Sequence, residues 1–486
     1  MKNIRRISQG IFLPVFLFLF LQTEAKGRDE LGYPVKLFLD FDPLIFITTI
    51  FSAHSVAKAF YFSAIVIVAT IVMGRVFCGW VCPLGTLNNI VGSLRKGRAN
   101  DTRKDWHRVK YYVLISLLVS SAFTLQFAGI MDPISLLIRS FSLSIYPVFN
   151  SITRVVFDTI YSSDFKGVVN VSEAVYSVLK KSLLSFQQPL YNLGVLSRFS
   201  LLKRSVSEGC NSCGACASVC QGNAAPDRKE EWKDAECYYC WNCDDICPKN
   251  AVSFGFGEKK TAAAMDLGRR RVITSMLAGA AAVPMLRTTP LSKAGVSNPR
   301  LIRPPGSLGE REFLKRCVKC GECMKVCITN GLQPTLLEAG LEGIWSPLLV
   351  PGIGYCEYRC TLCGQVCPTG AIKRLELKDK AKVSIGTAMI DKGRCLPHSH
   401  ATPCIVCEEV CPTPKKAIWF DKVRVKDRKG KEIVVMQPRV DLELCIGCGI
   451  CEAKCPVLGK PAIYVTSIGE SRSKENRLLM SPDGYS

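Results

Sequence analysis

Residues 445–456 read CIGCGICEAKCP. Three cysteines stand two residues apart, a fourth follows after three more, and a proline closes the run. Three thiolates so close in sequence wrap one corner of a metal centre, while glycines between them let the backbone approach it. The spacing recurs at Cys210, Cys213, Cys216 and Cys220, at Cys237, Cys240, Cys243 and Cys247, and at Cys317, Cys320, Cys323 and Cys327. Two further copies are stretched at the front. Three residues separate Cys356 from Cys360, which leads into Cys363 and Cys367; eight separate Cys395 from Cys404, which leads into Cys407 and Cys411. With Cys445, Cys448, Cys451 and Cys455 this makes six sets.

Spacing of this kind predicts [4Fe–4S] clusters, about six in number, held by these cysteines. In bacterial two-cluster ferredoxins the fourth cysteine of such a run ligates the other cluster. Gly214, Gly321, Gly364, Gly447 and Gly449 fall within the loops, and Pro248, Pro368, Pro412 and Pro456 close four of the runs. The first and third sets carry Gln221 and Ile328 instead. A short apolar pair follows four sets: Ala251-Val252, Ala371-Ile372, Ala417-Ile418 and Ala462-Ile463. Each repeat is a cysteine loop plus a short strand, too small to bury a core alone. Zinc is the competing metal, but structural zinc sites pair two Cys-x2-Cys knuckles across a longer gap. Disulfide frameworks belong to short secreted domains with varied spacing, unlike these 26 cysteines in 486 residues. No Cys-x2-Cys-His run attaches a c-type haem, and His54, His107, His398 and His400 are the only histidines. Of these, His398 and His400 read as solvated loop residues.

The net charge of +22 suggests nucleic acid, anionic lipid or an acidic protein. Nucleic acid is excluded as the partner because the basic residues are scattered and flank apolar stretches. Thiolate-bound clusters would also cancel much of the charge. The 48% hydrophobic content is unevenly spread. Residues 1–26 combine a basic start with apolar Ile11 to Leu21, as in a signal peptide or a short membrane anchor. Ala59 to Val76 and Tyr111 to Met131 read as membrane spans. Arg95, Lys96, Arg98, Arg103 and Lys104 between them place that loop on the cytoplasmic side. Ile134 to Ser205 has apolar patches but no clean span. Gly268 to Arg271 followed by apolar Val272 to Leu286 reads as a twin-arginine export signal or a short anchor.

Cys78 and Cys82, in FCGWVCPLG (77–85), end the first span. Two thiols cannot complete a four-iron site, so they are structural thiols or a redox or metal site near the quinone pool. GRVFCGWVCPLGTL (74–87) resembles the membrane ferredoxins of the NapH, nitrous-oxide-reductase-regulator and cytochrome-oxidase-assembly group. Residues 303–465 resemble the periplasmic NapG/MauM ferredoxins through RPPG (303–306), GYCEYRCTLCGQVCPTGAI (354–372) and CIVCEEVCP (404–412). The chain thus resembles a fusion of the two. The resemblance implies electron transfer from membrane quinol, through clusters on the twenty-four cysteines, to a redox protein or terminal reductase outside the inner membrane. It also matches Arg269 with Arg270 or Arg271 to the export signal. The group's second Cys-x3-Cys-Pro motif is missing from LYNLGVLSRFSLLKR (190–204).

The expected fold is α+β: N-terminal transmembrane helices, then two ferredoxin-like modules of cysteine loops and short strands. The expected divisions are a membrane region at 1–205 with about three spans, a two-cluster module at 206–260, an anchor and Pro-rich linker at 265–310, a four-cluster module at 311–470, and a disordered tail at 471–486. The expected location is the bacterial inner membrane, in contact with lipid and the quinone pool, with the C-terminal module periplasmic. A second function class is an assembly or regulatory factor with Cys78 and Cys82 as the acting pair.

Overall fold

The computed structural model describes residues 2–24, 29–54, 61–94, 106–145, 200–256, 268–287 and 298–473, with short breaks within 208–235 and at 427–429, and also Asn476. Helices mix with short strands. The chain divides into two compact units: residues 1–22 with 37–281, and residues 23–36 with 282–486.

The first unit opens with α1 (Lys2–Gln22), which runs on through Pro14. By length and composition α1 can cross a membrane, and it is the one such helix among the described residues. Its flanks join the apolar run expected at 11–21. Phe16 and Phe20 are buried and meet Phe141 edge to face at 6.2 and 5.6 Å. Helices α2 (Pro43–Ala53), α3 (Tyr61–Met73), α4 (Pro83–Leu94) and α5 (Trp106–Ala122) follow. The span expected at 59–76 is the 13-residue α3. The span expected at 111–131 is corrected: α5 starts earlier and stops at Ala122, where Thr124 takes φ +65° and turns the chain. A short helix, Ala128–Met131, comes next, and α6 (Pro133–Ser140) is capped by Asp132 accepting from the Ser135 amide at 2.7 Å. Residues 149–199 of the stretch expected at 134–205 lie outside the described residues.

Strands β1 (Leu202–Val206) and β2 (Val252–Phe256) pair antiparallel, Leu202 against Phe256 and Val206 against Val252. The end of the 190–204 stretch is therefore the first strand of the cysteine-rich module, not membrane region. Helix α7 (Arg269–Arg287) begins with exposed arginines, and its Gly279 approaches the backbone of Ser116 on α5. A Cβ at Gly279 would lie 3.0 Å from Ser116 Cα, so the missing side chain permits the contact.

In the second unit one strand plan appears twice. β3 (Leu332–Pro334) follows the Cys317–Cys327 loop and pairs with β4 (Pro347–Leu349), which precedes the Cys356–Cys367 loop. Ile372, after the second loop, bridges back to Ser307 before the first. In the next pair, β6 (Ile418–Lys426) follows the Cys395–Cys411 loop and pairs with β7 (Glu432–Val440), which leads into Cys445–Cys455; β8 (Ile463–Thr466) returns to β5 (Thr387–Ile390). The expected strands at Val252, Ile418 and Ile463 form, and Ile372 makes a single bridge.

Two expected boundaries are corrected. The linker expected as far as 310 is structured from 298: Leu301, Ile302 and Arg303 are buried. Arg303 donates through Nε and Nη2 to Glu310 at 3.1 and 2.6 Å and through Nη1 to Ser346 Oγ and Pro347 O. The tail expected to be disordered from 471 is fastened at its start, where Arg472 pairs with Glu310 and Glu470 and Asn476 donates to Ser467 O. Burial opposes the charge on Glu310, yet Arg303 and Arg472 together hold its pKa down to about 2.

Candidate metal centres

Each cysteine loop runs into a helical turn of four or five residues, and the entry conformation separates the regular from the stretched copies. Gly214, Gly321 and Gly449 enter with φ between +77° and +89°, and Trp241 takes the same place at +56°. Glycine adopts this left-handed conformation without steric cost, unlike tryptophan. In the stretched copies Thr361 and Ile405 enter at φ −120° and −126°, so no glycine is needed there.

The strand plan carries the last cysteine of each loop to the neighbouring loop. One cavity is lined by Cys317, Cys320, Cys323 and Cys367 with Phe313, Val318 and Ile372. Another is lined by Cys395, Cys404, Cys407 and Cys455 with Ile390, Pro397 and Ile463. Cys327 lies within electrostatic reach of Cys356 and Cys363, and Cys411 of Cys445 and Cys448. In the first unit Cys220 stands likewise beside Cys237, Cys240 and Cys243, and Cys216 beside Cys210 and Cys213. The third and fourth loops and the fifth and sixth therefore pair by exchanging last cysteines, and the first loop gives Cys220 to the second. The pairings of the third and fifth loops are set by strand contacts far apart in sequence, a signal that cysteine spacing does not carry.

The chemistry of these pockets fits iron–sulfur clusters. Burial pushes the Cys243, Cys407 and Cys448 thiols up to about 12 and Cys360 to about 11. Such thiols keep their protons until a metal displaces them, so loading releases protons. Backbone amides donate to the sulfurs: Ala224 to Cys220 at 3.1 Å, Ala251 to Cys247 at 3.3 Å, and Ile372, Ala388 and Ala462 to Cys367, Cys445 and Cys455 at 3.4 Å. Donors of this kind favour thiolate and tune cluster potential. Two of the cysteine sets ring a cavity, the arrangement a four-iron core needs.

A backbone hydrogen bond runs between the two pairs of the second unit, from the Cys356 amide to Cys448 O at 2.8 Å. His398 is half-buried, with Nε2 3.3 Å from Pro438 O, while His400 is exposed. Neither approaches a cavity as a lining residue.

Cys78 and Cys82 sit where the membrane-type motif meets the first cysteine-rich module. Cys78 lies in a π-helical turn, Phe77–Val81, and both thiols are buried. Tyr238 packs against Cys78, and its carbonyl would lie 2.8 Å from a Cβ at Gly79, so glycine admits this close approach. Trp80 meets Trp241 edge to face at 5.7 Å and donates to Tyr239 O. Arg5 of α1 donates to Gly79 O at 3.2 Å, Cys240 O at 3.3 Å and Asn242 Oδ1 at 3.3 Å. Glu236, one residue before Cys237, is buried among Arg75, Lys110 and Tyr111; Arg75 is 3.3 Å away and Tyr111 Oη 2.7 Å. Burial opposes ionisation of Glu236, but Arg75 and Lys110 outweigh it and hold its pKa below the usual range. Sequence reasoning missed this network, because Glu236 lies 125 to 161 residues from Tyr111, Lys110 and Arg75.

A family described as "4Fe-4S binding domain" matches residues 59–100, and a second of the same description matches residues 438–458. The ferredoxin-type protein MauM of Methylorubrum extorquens is 36% identical over 184 residues, 37% of this chain and 78% of that protein. NapG of Escherichia coli is 34% identical over 212 residues, 43% of this chain and 89% of the relative. The chain belongs to the NapG/MauM family of ferredoxin-type proteins. NapF of Escherichia coli, also named a ferredoxin-type protein, is 28% identical over 168 residues. No solved structure matches the chain. As a NapG/MauM-type protein with 4Fe-4S binding domains, the chain is an iron–sulfur electron-transfer protein.

Proposed function

We propose that this chain is a membrane-bound relay that takes electrons from quinol, or from an inner donor, and delivers them to a periplasmic redox partner through about six [4Fe–4S] clusters. When bound, each cluster takes up and releases one electron. The chain's own residues fix where those electrons can rest. Cys237, Cys240 and Cys243 with Cys220 would hold one cluster of the first unit, and Cys210, Cys213 and Cys216 with Cys247 the other. In the second unit the four sites would be Cys317, Cys320, Cys323 and Cys367; Cys356, Cys360, Cys363 and Cys327; Cys445, Cys448, Cys451 and Cys411; and Cys395, Cys404, Cys407 and Cys455. The observation that carries the reading is the Cys356–Cys448 hydrogen bond, which joins two exchanged pairs into a single file of four sites.

The membrane placement rests on charge. Gly279 of α7 meets Ser116 of α5, each ten residues beyond a basic helix start. Both starts then face the cytoplasm, and the first cysteine-rich module, whose Glu236 holds Arg75 and Lys110, lies on that side. The part after α7 lies outside. This arrangement suits a fusion of a NapH-like membrane half with a NapG-like ferredoxin half. Buried Cys78 and Cys82 then stand between the quinone level of the membrane and the nearest cluster site. Their burial disfavours an assembly factor in which this pair acts directly on an external protein.

The test is anaerobic addition of a reduced quinol analogue to the purified chain, followed by electron paramagnetic resonance. Quinol-dependent appearance of reduced-cluster signals is expected. Clusters that dithionite reduces but quinol does not would overturn the quinol reading.

A further inference from the structure

We propose that Lys380 raises the reduction potential of the site formed by Cys327, Cys356, Cys360 and Cys363, and so sets the direction of electron flow across the Cys356–Cys448 junction. The inference rests on the cluster reading above and adds the residue that makes the two sides of the junction unequal.

Lys380 is buried, with 3% of its surface exposed, although lysine is almost never buried without a partner. Its Nζ donates to Cys360 O at 2.5 Å and to Glu357 O. It also lies within electrostatic reach of the Cys356 thiol. An ammonium has three N–H donors and no acceptor, and here two of them meet carbonyls within the loop that presents Cys356, Cys360 and Cys363. Reduction adds a negative charge to a site already made anionic by thiolates. A cation fixed beside the sulfur, in a place from which water is excluded, stabilises that added charge strongly.

Carboxylates also face this site: Glu357 near Cys356 and Asp29 near Cys360. Both are half-exposed, so water screens them, whereas Lys380 is buried. Across the junction the cation is a different one: Lys416 donates to Cys411 O at 2.8 Å, but it is exposed, so water screens it. Asp441 faces Cys445, and the half-buried carboxylate of Glu452, fixed by the Val465 amide at 2.6 Å, follows Cys451 directly. With half-exposed carboxylates on both sides and a buried cation only at Lys380, an electron at the junction settles on the Lys380 side. Flow therefore runs from the Cys395 and Cys445 pair toward the Cys317 and Cys356 pair.

The experiment is a dithionite redox titration of the full chain, prepared anaerobically and read by electron paramagnetic resonance, with sites assigned through Cys363→Ser and Cys451→Ser. In the unsubstituted chain the Cys356 site is expected to reduce at a higher potential than the Cys445 site. Lys380→Met should lower the reduction equilibrium of the Cys356 site at least tenfold, 59 mV for one electron, and leave the Cys395 site where it was. Lys380→Arg should stay within threefold. An unchanged Cys356-site midpoint in Lys380→Met, or an equal shift at all sites, would overturn the inference. Should Lys380→Met fail to retain its cluster, the ranking in the unsubstituted chain decides: a Cys445 site at or above the Cys356 site overturns it. Absence of iron and sulfide in the unsubstituted chain would instead refute the cluster reading itself.

Discussion

Replacing Glu310 by glutamine should loosen the second unit at the point where its N-terminal and C-terminal segments are tied to the first cysteine loop. Glu310 accepts from Arg303 at 3.1 and 2.6 Å and from Arg472 at 2.7 Å, and it opens the short helix that ends at Cys317. The difference between its ordinary pKa of 4.5 and its value of about 2 corresponds to ~3.4 kcal/mol without screening. The carboxylate is 34% exposed, so water reduces this to ~2 kcal/mol. The Arg303 side chain is fully buried and would keep Ser346 Oγ and Pro347 O but lose its counter-charge, which brings the total to ~2–3 kcal/mol. A cluster-bearing, two-unit chain does not unfold in two states, so the readout is a rate. In anaerobic urea at pH 7, cluster absorbance should bleach about 30 to 150 times faster in Glu310→Gln, the factor equivalent to that energy. Because folding lowers this carboxyl's pKa, the clamp contributes fully above about pH 4.5 and is lost as pH falls toward 2. The gap between the two proteins should therefore narrow below pH 4.5. A change under threefold at pH 7, or a gap that widens in acid, would refute the reasoning.

Cys367→Ala should remove or convert the cluster at Cys317, Cys320 and Cys323 and spare the one at Cys356, Cys360 and Cys363; the opposite pattern in the resonance spectrum would rule out the exchange of last cysteines. Glu236→Gln leaves Arg75 and Lys110 buried without their carboxylate, at a cost of ~3–5 kcal/mol. Limited proteolysis should then cut within 206–256 faster, and unchanged protection would show that other contacts hold the module. Gly279→Leu forces a side chain into the Ser116 backbone, so the detergent-solubilised chain should lose thermal stability, whereas Gly279→Ala should lose less; equal behaviour of both with the parent protein would deny the close crossing.

The cysteine loops were legible from sequence because metal ligation constrains spacing directly. Short strands after Ala251, Ala417 and Ala462 were legible for the same reason, since chain leaving a closed loop has few paths. Which loops pair was not legible. That depends on Thr387 meeting Thr466 and Ser307 meeting Ile372, contacts across 79 and 65 residues that local composition does not encode. Residues 298–308 misled because prolines at 299, 304 and 305 look like a linker, while the buried Arg303 clamp is visible only once Glu310 and Ser346 are in place. Lys380 carries no sequence signal either. It sits in a charged stretch, LKDK, that reads as a solvated turn, and only the fold turns it inward.

The most direct measurement is iron and acid-labile sulfide per chain in anaerobically purified, folded protein. The expected result is about 24 of each, four per site over six sites, with no stoichiometric zinc. Folded chain that carries zinc, or iron without inorganic sulfide, would contradict the claim that these exchanged cysteine sets hold four-iron clusters.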